Sequence, residues 1–202
     1  VFQLGTSTEF ADLGGNPPNA DGSAVCGDHL FLHAGATVYW SDTDDITEWA
    51  TGNAGSQTFP DGGEVMGLTS VTNPWIIQRD AIRRATFMPG SLDVFSFQKV
   101  HDKIGAASRK SVCSRGDIAF FAGYGAFYQL NSDGSLLPIG DEKLDREIFG
   151  QLSGVGLTNI MGEVDPFYPR VYFAVQLAST DDSYDTLLVY DWSKQEWSRI
   201  NI

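Results

Sequence analysis

Apolar residues along this chain come in short runs, each closed within a few positions by glycine, proline, asparagine or aspartate. That rhythm predicts strands joined by tight turns, because an amphipathic helix needs a longer stretch with a 3.6-residue period. Two stretches make the plan explicit. Val25-Cys26-Gly27-Asp28 leads into His29-Leu30-Phe31-Leu32, a small-residue turn around Gly35, and Val38-Tyr39. Val112-Cys113, then Gly116-Asp117, leads in the same way into Ile118-Ala119-Phe120-Phe121, a turn around Gly123 and Gly125, and Phe127-Tyr128. In each, Gly-Asp starts a hairpin, an apolar strand follows, small residues turn it, and a second strand returns.

The hairpins recur at a regular distance. Tyr39 and Tyr128 stand 89 residues apart, and near the midpoint Trp75-Ile76-Ile77-Gln78 and Ala81-Ile82-Arg83 make another pair. A fourth copy, Arg170 to Val175 with Thr186 to Tyr190, is displaced by an insertion of about residues 141–165. A period of about 45 residues fits four strands of about five residues plus their turns, the blade of a β-propeller. Thr86-Phe87 and Val94 to Phe97 flank the turn Pro89-Gly90, and Glu196 to Ile200 follow the turn Trp192 to Gln195. One helix is expected, from Asp141 to Phe149, with Asp141 as its cap and Leu144 and Ile148 on one face. The expectation is a single all-β domain over residues 1–202, a β-propeller or partial propeller with one short helical insertion. At this period 202 residues make about four and a half blades, whereas propellers close with four to eight. With its Val1-Phe2-Gln3-Leu4 start, the chain reads as a piece of a longer protein whose ring closes with residues outside it.

Charge is unevenly distributed. The net charge is −13, yet residues 79–115 hold eight basic residues against three acidic ones. The eight are Arg79, Arg83, Arg84, Lys99, Lys103, Arg109, Lys110 and Arg115. They read as an interaction face toward an acidic neighbour or another subunit, or else as gatekeeper charges on solvated strand edges. An overall acidic chain repels nucleic acid at long range, which argues against sequence-specific DNA binding. No run of 18 apolar residues is present, so no helical membrane span is expected.

Candidate chemistry is sparse. Cys26 and Cys113 form no metal-type pair and are too few for a disulfide framework. His29 and His33 share a strand face, but an i, i+4 pair on a strand lies roughly 13 Å apart, too far to share one ion. The acidic clusters Asp42 to Asp45 and Asp181 to Asp185 lack the ligand spacing and glycine of a calcium loop. Ser41 to Trp49 is similar to the aspartate box of glycosidase propellers, with its spacing off by one residue and its glycine missing. No Gly-x-Ser-x-Gly elbow and no phosphate-cradling motif occurs. No catalytic residue, cofactor or metal site is assigned from the sequence, and the chain is read as non-enzymatic.

Several stretches resemble propeller-forming tail proteins of tailed phages, the nozzle, hub and DNA-stabilisation group. They are Gly35 to Asp42 closing with Trp49, Gly63 to Leu68, Trp75 to Gln78, and Lys103 to Val112 followed by Asp117 to Tyr128. Pro138-Ile139-Gly140 and Val189 to Ser198 complete the pattern. The resemblance implies a virion protein of the tail, assembled as a homo-oligomeric ring below the portal and joined to portal or adaptor and other tail proteins. It implies head–tail connection and DNA ejection, with only non-specific contact to passing DNA. An acidic surface suits a channel wall, since like charge keeps DNA from sticking. The alternative is a carbohydrate-binding or glycan-degrading propeller, in which Tyr39, Trp40, Trp49 and Trp75 would stack on sugar rings.

Overall fold

Two turns show how local chemistry starts each sheet. Gly27 and Gly116 have φ of 61° and 58°. Each begins a two-residue turn, closed by Cys26 pairing with His29 and by Arg115 pairing with Ile118. A left-handed glycine at the first turn position is the type II′ hairpin, whose twist matches that of the strands it joins. The Gly-Asp signal therefore marks the first hairpin of two separate sheets.

The computed structural model describes residues 8–202 apart from 10, 141–142, 153 and 179–182. It contains four four-stranded antiparallel sheets, each a simple meander in chain order. Blade 1 comprises β1 (Gly22–Cys26), β2 (His29–Ala34), β3 (Thr37–Trp40) and β4 (Gly55–Thr58). Blade 2 comprises β5 (Val65–Leu68), β6 (Trp75–Gln78), β7 (Ala81–Phe87) and β8 (Phe95–Asp102). Blade 3 comprises β9 (Cys113–Arg115), β10 (Ile118–Ala122), β11 (Phe127–Leu130) and β12 (Leu136–Pro138). Blade 4 comprises β13 (Met161–Val164), β14 (Arg170–Val175), β15 (Thr186–Asp191) and β16 (Glu196–Asn201). Four consecutive meanders packed face to face are blades of a β-propeller.

The expected register holds. Tyr39, Arg83, Tyr128 and Tyr190 all lie on the third strand of their blades. First strands begin at 22, 65, 113 and 161, spacings of 43, 48 and 48 residues. The late position of Tyr190 therefore arises inside blade 4, from its longer connections around β14. The segment between blades 3 and 4 is not its cause: it balances the shortness of blade 3. That segment carries two short helices where one was expected, α1 (Lys143–Phe149) and α2 (Gly154–Thr158). The proposed cap Asp141 lies outside the described residues. The surplus half blade is accounted for by residues ahead of Gly22, which form no strand where they are described.

Three seams hold the blades together. In the first, Phe31, Val38 and Trp40 of blade 1 meet Val65, Ile76, Ala85 and Phe95 of blade 2. Phe95 packs edge-on to Phe31 at 4.9 Å between centroids. In the second, Trp75, Ile77 and Ile82 meet Ala119, Phe121 and Leu130. In the third, Phe120, Ala122 and Phe127 meet Val171, Phe173, Val175 and Leu188, with Ile148 of α1 sealing one side. Fully burying a side chain of this size contributes about 1.5–3 kcal/mol, so the seams supply most of the favourable energy. Blades 2 and 3 are covered on both faces, which is why β6 and most of β10 are buried without alternation. In β14 and β15 buried and half-buried residues alternate strictly, because only one face of blade 4 is covered.

Candidate interaction surfaces

The eight basic residues do not form one exposed face. Arg83 is 7% exposed; its guanidinium lies over the Phe59 ring at 4.7 Å, bonds Gln78 and pairs with Asp61. Lys99 approaches the same Asp61 at 2.7 Å and Asp102 at 3.0 Å. Hydrogen bonds from Lys99 and Arg83 hold the Asp61 carboxyl down at about 2. Arg84 crosses the second seam to Asp117. Arg109 pairs with Asp21 at 3.2 Å and Glu64 at 3.4 Å, and Arg79 pairs with the same Glu64 at 3.0 Å. Lys110 donates to the Asn159 side chain at 3.0 Å, and Arg115 to the Tyr168 carbonyl at 3.1 Å. Lys103 is exposed where the chain leaves β8, with φ of 62°. Several of these cations therefore staple one blade to the next, and their charges are largely met within the chain. The reason is topological: β7, β8 and the entrance to blade 3 run past acidic residues that are distant in sequence, Asp21 ahead of blade 1, Asp61 and Glu64 ahead of blade 2, and Asp117 in the first turn of blade 3.

Acidic residues have a parallel role in the loops. Asp42 Oδ1 accepts the Asn53 and Thr43 backbone N–H groups at 2.7 and 2.8 Å. Asp45 Oδ1 accepts the N–H and hydroxyl of Thr47, and Glu48 Oε1 accepts the N–H groups of Ala50 and Thr51. Asp133, Asp165 and Asp191 accept the N–H two residues onward, and Asp185 accepts those of Leu177 and Ala178. Such bonds favour the charged carboxylate and hold Asp42, Asp45, Glu48, Asp133, Asp165 and Asp191 below the usual carboxylate range. The stretch resembling an aspartate box is thus a turn-shaping device, with Asp42 bridging back to Asp45. Asp181 and Asp182 lie outside the described residues. Among the described residues no three His, Cys, Asp or Glu side chains converge as a metal site would require.

The remaining singled-out residues are mostly interior. Burial pushes the Cys26 thiol up to about 12 and raises that of Cys113 as well, so both are protonated at neutral pH. His29 hydrogen-bonds the Ser41 carbonyl at 2.8 Å and packs edge-on to Phe87 and Phe95. His33 is buried beside a cavity of about 320 Å³, near the first strands of blades 1 and 2, that Met66, Leu68, Arg109 and Val112 also line. Burial, then the nearby Arg109 charge, lowers its pKa to about 4, with Asp21 opposing. Trp40 and Trp75 fill the first and second seams. Their indole N–H groups bond the carbonyls of Asn53 at 2.8 Å and Asp117 at 3.2 Å.

The surface that stands out is the far face of blade 4. Register places Met161, Ala174, Leu187 and Ile200 in one row across all four strands. Tyr172 and Val189 sit beside each other in the next row. Met161 is 48% and Ile200 49% exposed, and the other four are half-buried. No apolar cluster of described residues joins this face to another blade. The Arg170–Asp191 pair, 3.5 Å apart, borders it. A signal was present in the sequence: both alternating sets of β14 and β15 are largely apolar, as befits strands covered on both faces.

No family model and no curated protein matches the chain. Among solved structures, it is similar over 95% of its length to a chain in the S. cerevisiae complex of Dbp5 with Nup159, Gle1, IP6 and ADP. The TM-score is 0.51 at 12% identity, over 44% of that chain. A second match is the N-terminal domain of Nup159, a β-propeller, with a TM-score of 0.51 at 9% identity over 90% of this chain and 43% of that one. The fold is a β-propeller fold. At these identities the likeness concerns architecture, and this propeller chain spans less than half the length of either match.

Proposed function

We propose that this chain is a non-enzymatic structural protein of a phage virion, a tail nozzle, hub or adaptor component that retains or conducts DNA. The observation that carries the reading is the row Met161, Ala174, Leu187 and Ile200, an apolar sheet face of the kind that the three internal seams bury. A surface like this supports a role in assembly, since contiguous exposed apolar area on a soluble chain marks an interaction site. The tail assignment draws on the resemblance of the strand and turn pattern to tail propellers. The net charge of −13 is compatible with a wall past which DNA slides without adhering.

In this reading the chain sits in a ring below the portal, against portal or adaptor and other tail proteins. The test is to purify virions from a lysate of the phage that encodes the sequence and to identify their proteins by mass spectrometry. Antibody labelling of intact particles then locates the chain. Labelling at the tail supports the reading. Absence from purified virions, with binding of the isolated chain to a glycan array, would replace it with the carbohydrate-directed alternative.

A further inference from the structure

The cavity beside His33 lies between blades 1 and 2 and the entrance to blade 3, and its charge is opposite to that of the chain. Arg109 and Lys110 reach it from one turn of 3-10 helix, Arg109–Ser111. Buried serines anchor that turn. Ser108 Oγ donates to the Ile160 carbonyl at 2.7 Å, and Ser111 Oγ donates to the Ser108 carbonyl at 2.7 Å, with both residues fully buried. Two glycines let the walls approach. A Cβ on Gly22 would lie 2.5 Å from His33 Nε2, and one on Gly67 would lie 2.6 Å from Val112 Cγ1.

Donors remain open around this cavity. Arg109 reaches Asp21 and Glu64 through Nη2, and no hydrogen bond of its Nε or Nη1 occurs among the described residues. Lys110 Nζ has a neutral partner, the Asn159 side chain, so no ion pair among the described residues meets its charge. His33 is 3% exposed, and its Nδ1 has no hydrogen-bond partner among the described residues. We propose that this cavity binds a small organic carboxylate, the charged end held by Arg109 and Lys110 and the apolar body by Met66, Leu68 and Val112. The site lies apart from the blade 4 face, so it holds whether or not the chain assembles in a tail.

Charge and size select the ligand. Among the ionised side chains lining the cavity, Arg109 and Lys110 outweigh Asp21. An entering anion neutralises that excess, whereas a cation would add to it. Charge-assisted hydrogen bonds from guanidinium and ammonium to a carboxylate are also about twice as strong as neutral ones. At about 30 Å³ per water-sized group, the volume of about 320 Å³ admits roughly ten non-hydrogen atoms. An apolar body of that size gains by leaving water for Met66, Leu68 and Val112, which a bare inorganic ion does not. Because the cationic turn is anchored before the ligand arrives, binding requires little further ordering.

The experiment is a titration of the 202-residue chain with sodium benzoate at neutral pH and low salt, following the His33 imidazole signals by NMR. Their loss in His33→Gln identifies them. The expected result is a saturable shift with a Kd of about 1 mM or below, while the signals of His101, which does not line the cavity, stay in place. Benzamide has the shape without the charge, and inorganic phosphate has charge without the apolar body. Each should bind at least about tenfold more weakly. Arg109→Gln should weaken benzoate about tenfold or more, with unchanged far-ultraviolet circular dichroism. Should that change disturb the fold, Lys110→Gln, whose partner is neutral, carries the comparison with a loss of about threefold. Lys103→Gln, outside the cavity, should leave binding as it is. The absence of a saturable shift up to about 20 mM benzoate overturns the proposal. Benzamide binding as tightly as benzoate does so too, since the cations would then recognise nothing. Phosphate matching benzoate overturns it as well, since any anion would then suffice.

Discussion

Arg84 Nη2 reaches both carboxylate oxygens of Asp117, at 2.9 and 3.1 Å, across the seam between blades 2 and 3. The same guanidinium stacks over the Trp75 ring at 4.3 Å, while the Trp75 indole N–H donates to the Asp117 backbone carbonyl. Three residues thus weld one blade to the next with a charge pair, a cation–π contact and a hydrogen bond. Arg84→Ala and Asp117→Ala should each cost about 1–2 kcal/mol, since the Arg84 side chain is only 19% exposed. The double mutant should show a coupling energy of at least about 0.5 kcal/mol in urea unfolding. Simple additivity would mean that the pair is solvent-screened and incidental.

Position within the basic band should decide the outcome of charge reversal. Arg83→Glu places a carboxylate beside Asp61 in a nearly closed site, at an expected cost of 3 kcal/mol or more. Lys103→Glu, on an exposed residue, should change stability by less than about 0.5 kcal/mol. Thermal unfolding of the two variants measures the contrast, and equal effects would refute the assignment of Arg83 to the interior.

Neighbouring phenylalanines serve different seams. Phe120 belongs to the cluster with blade 4 and Phe121 to the cluster with blade 2. Phe120→Leu and Phe121→Leu should each destabilise by about 1 kcal/mol. Because the two rings share no cluster, the double mutant should be additive within about 0.5 kcal/mol. A larger interaction energy in chemical denaturation would show that strain passes through the sheet.

Acid should destabilise the protein in two stages. His33 is held neutral, with its pKa lowered to about 4 from an ordinary 6.5. Protons therefore bind the unfolded chain first, and stability falls as pH drops from about 6.5 to 4, by an amount on the order of 3 kcal/mol. The loop carboxylates have lowered values in the fold, Asp61 at about 2. Their contribution is complete above about pH 4 and disappears as pH falls toward 2. Denaturation midpoints from pH 7 to 2 test this, and His33→Gln should flatten the upper stage while leaving the lower one.

Much of the architecture was legible because strands and turns are local. Gly27 and Gly116 mark type II′ turns through a conformation that glycine adopts freely, and the apolar runs after them can only be strands of this length. The third-strand register at Tyr39, Arg83, Tyr128 and Tyr190 follows from the same repeat. Less was legible around blade 4, where α2 has too few residues and too weak a period to stand out.

What the sequence determined by itself was the hairpin repeat, the all-β class and the spacing of the blades. The first two depend on residues within a few positions of each other, and the third on the recurrence of the same local pattern along the chain. Only the tertiary structure decided where the charges go: Arg109 meets Asp21 and Glu64 because the entrance to blade 3 passes the first strands of blades 1 and 2. It also decided which apolar faces are sealed. Phe173 and Tyr172 are adjacent on one strand, yet the first is buried in a seam and the second is turned to the uncovered side. Strand alternation separates the two faces, but which of them receives a neighbouring sheet depends on the order and curvature of whole blades.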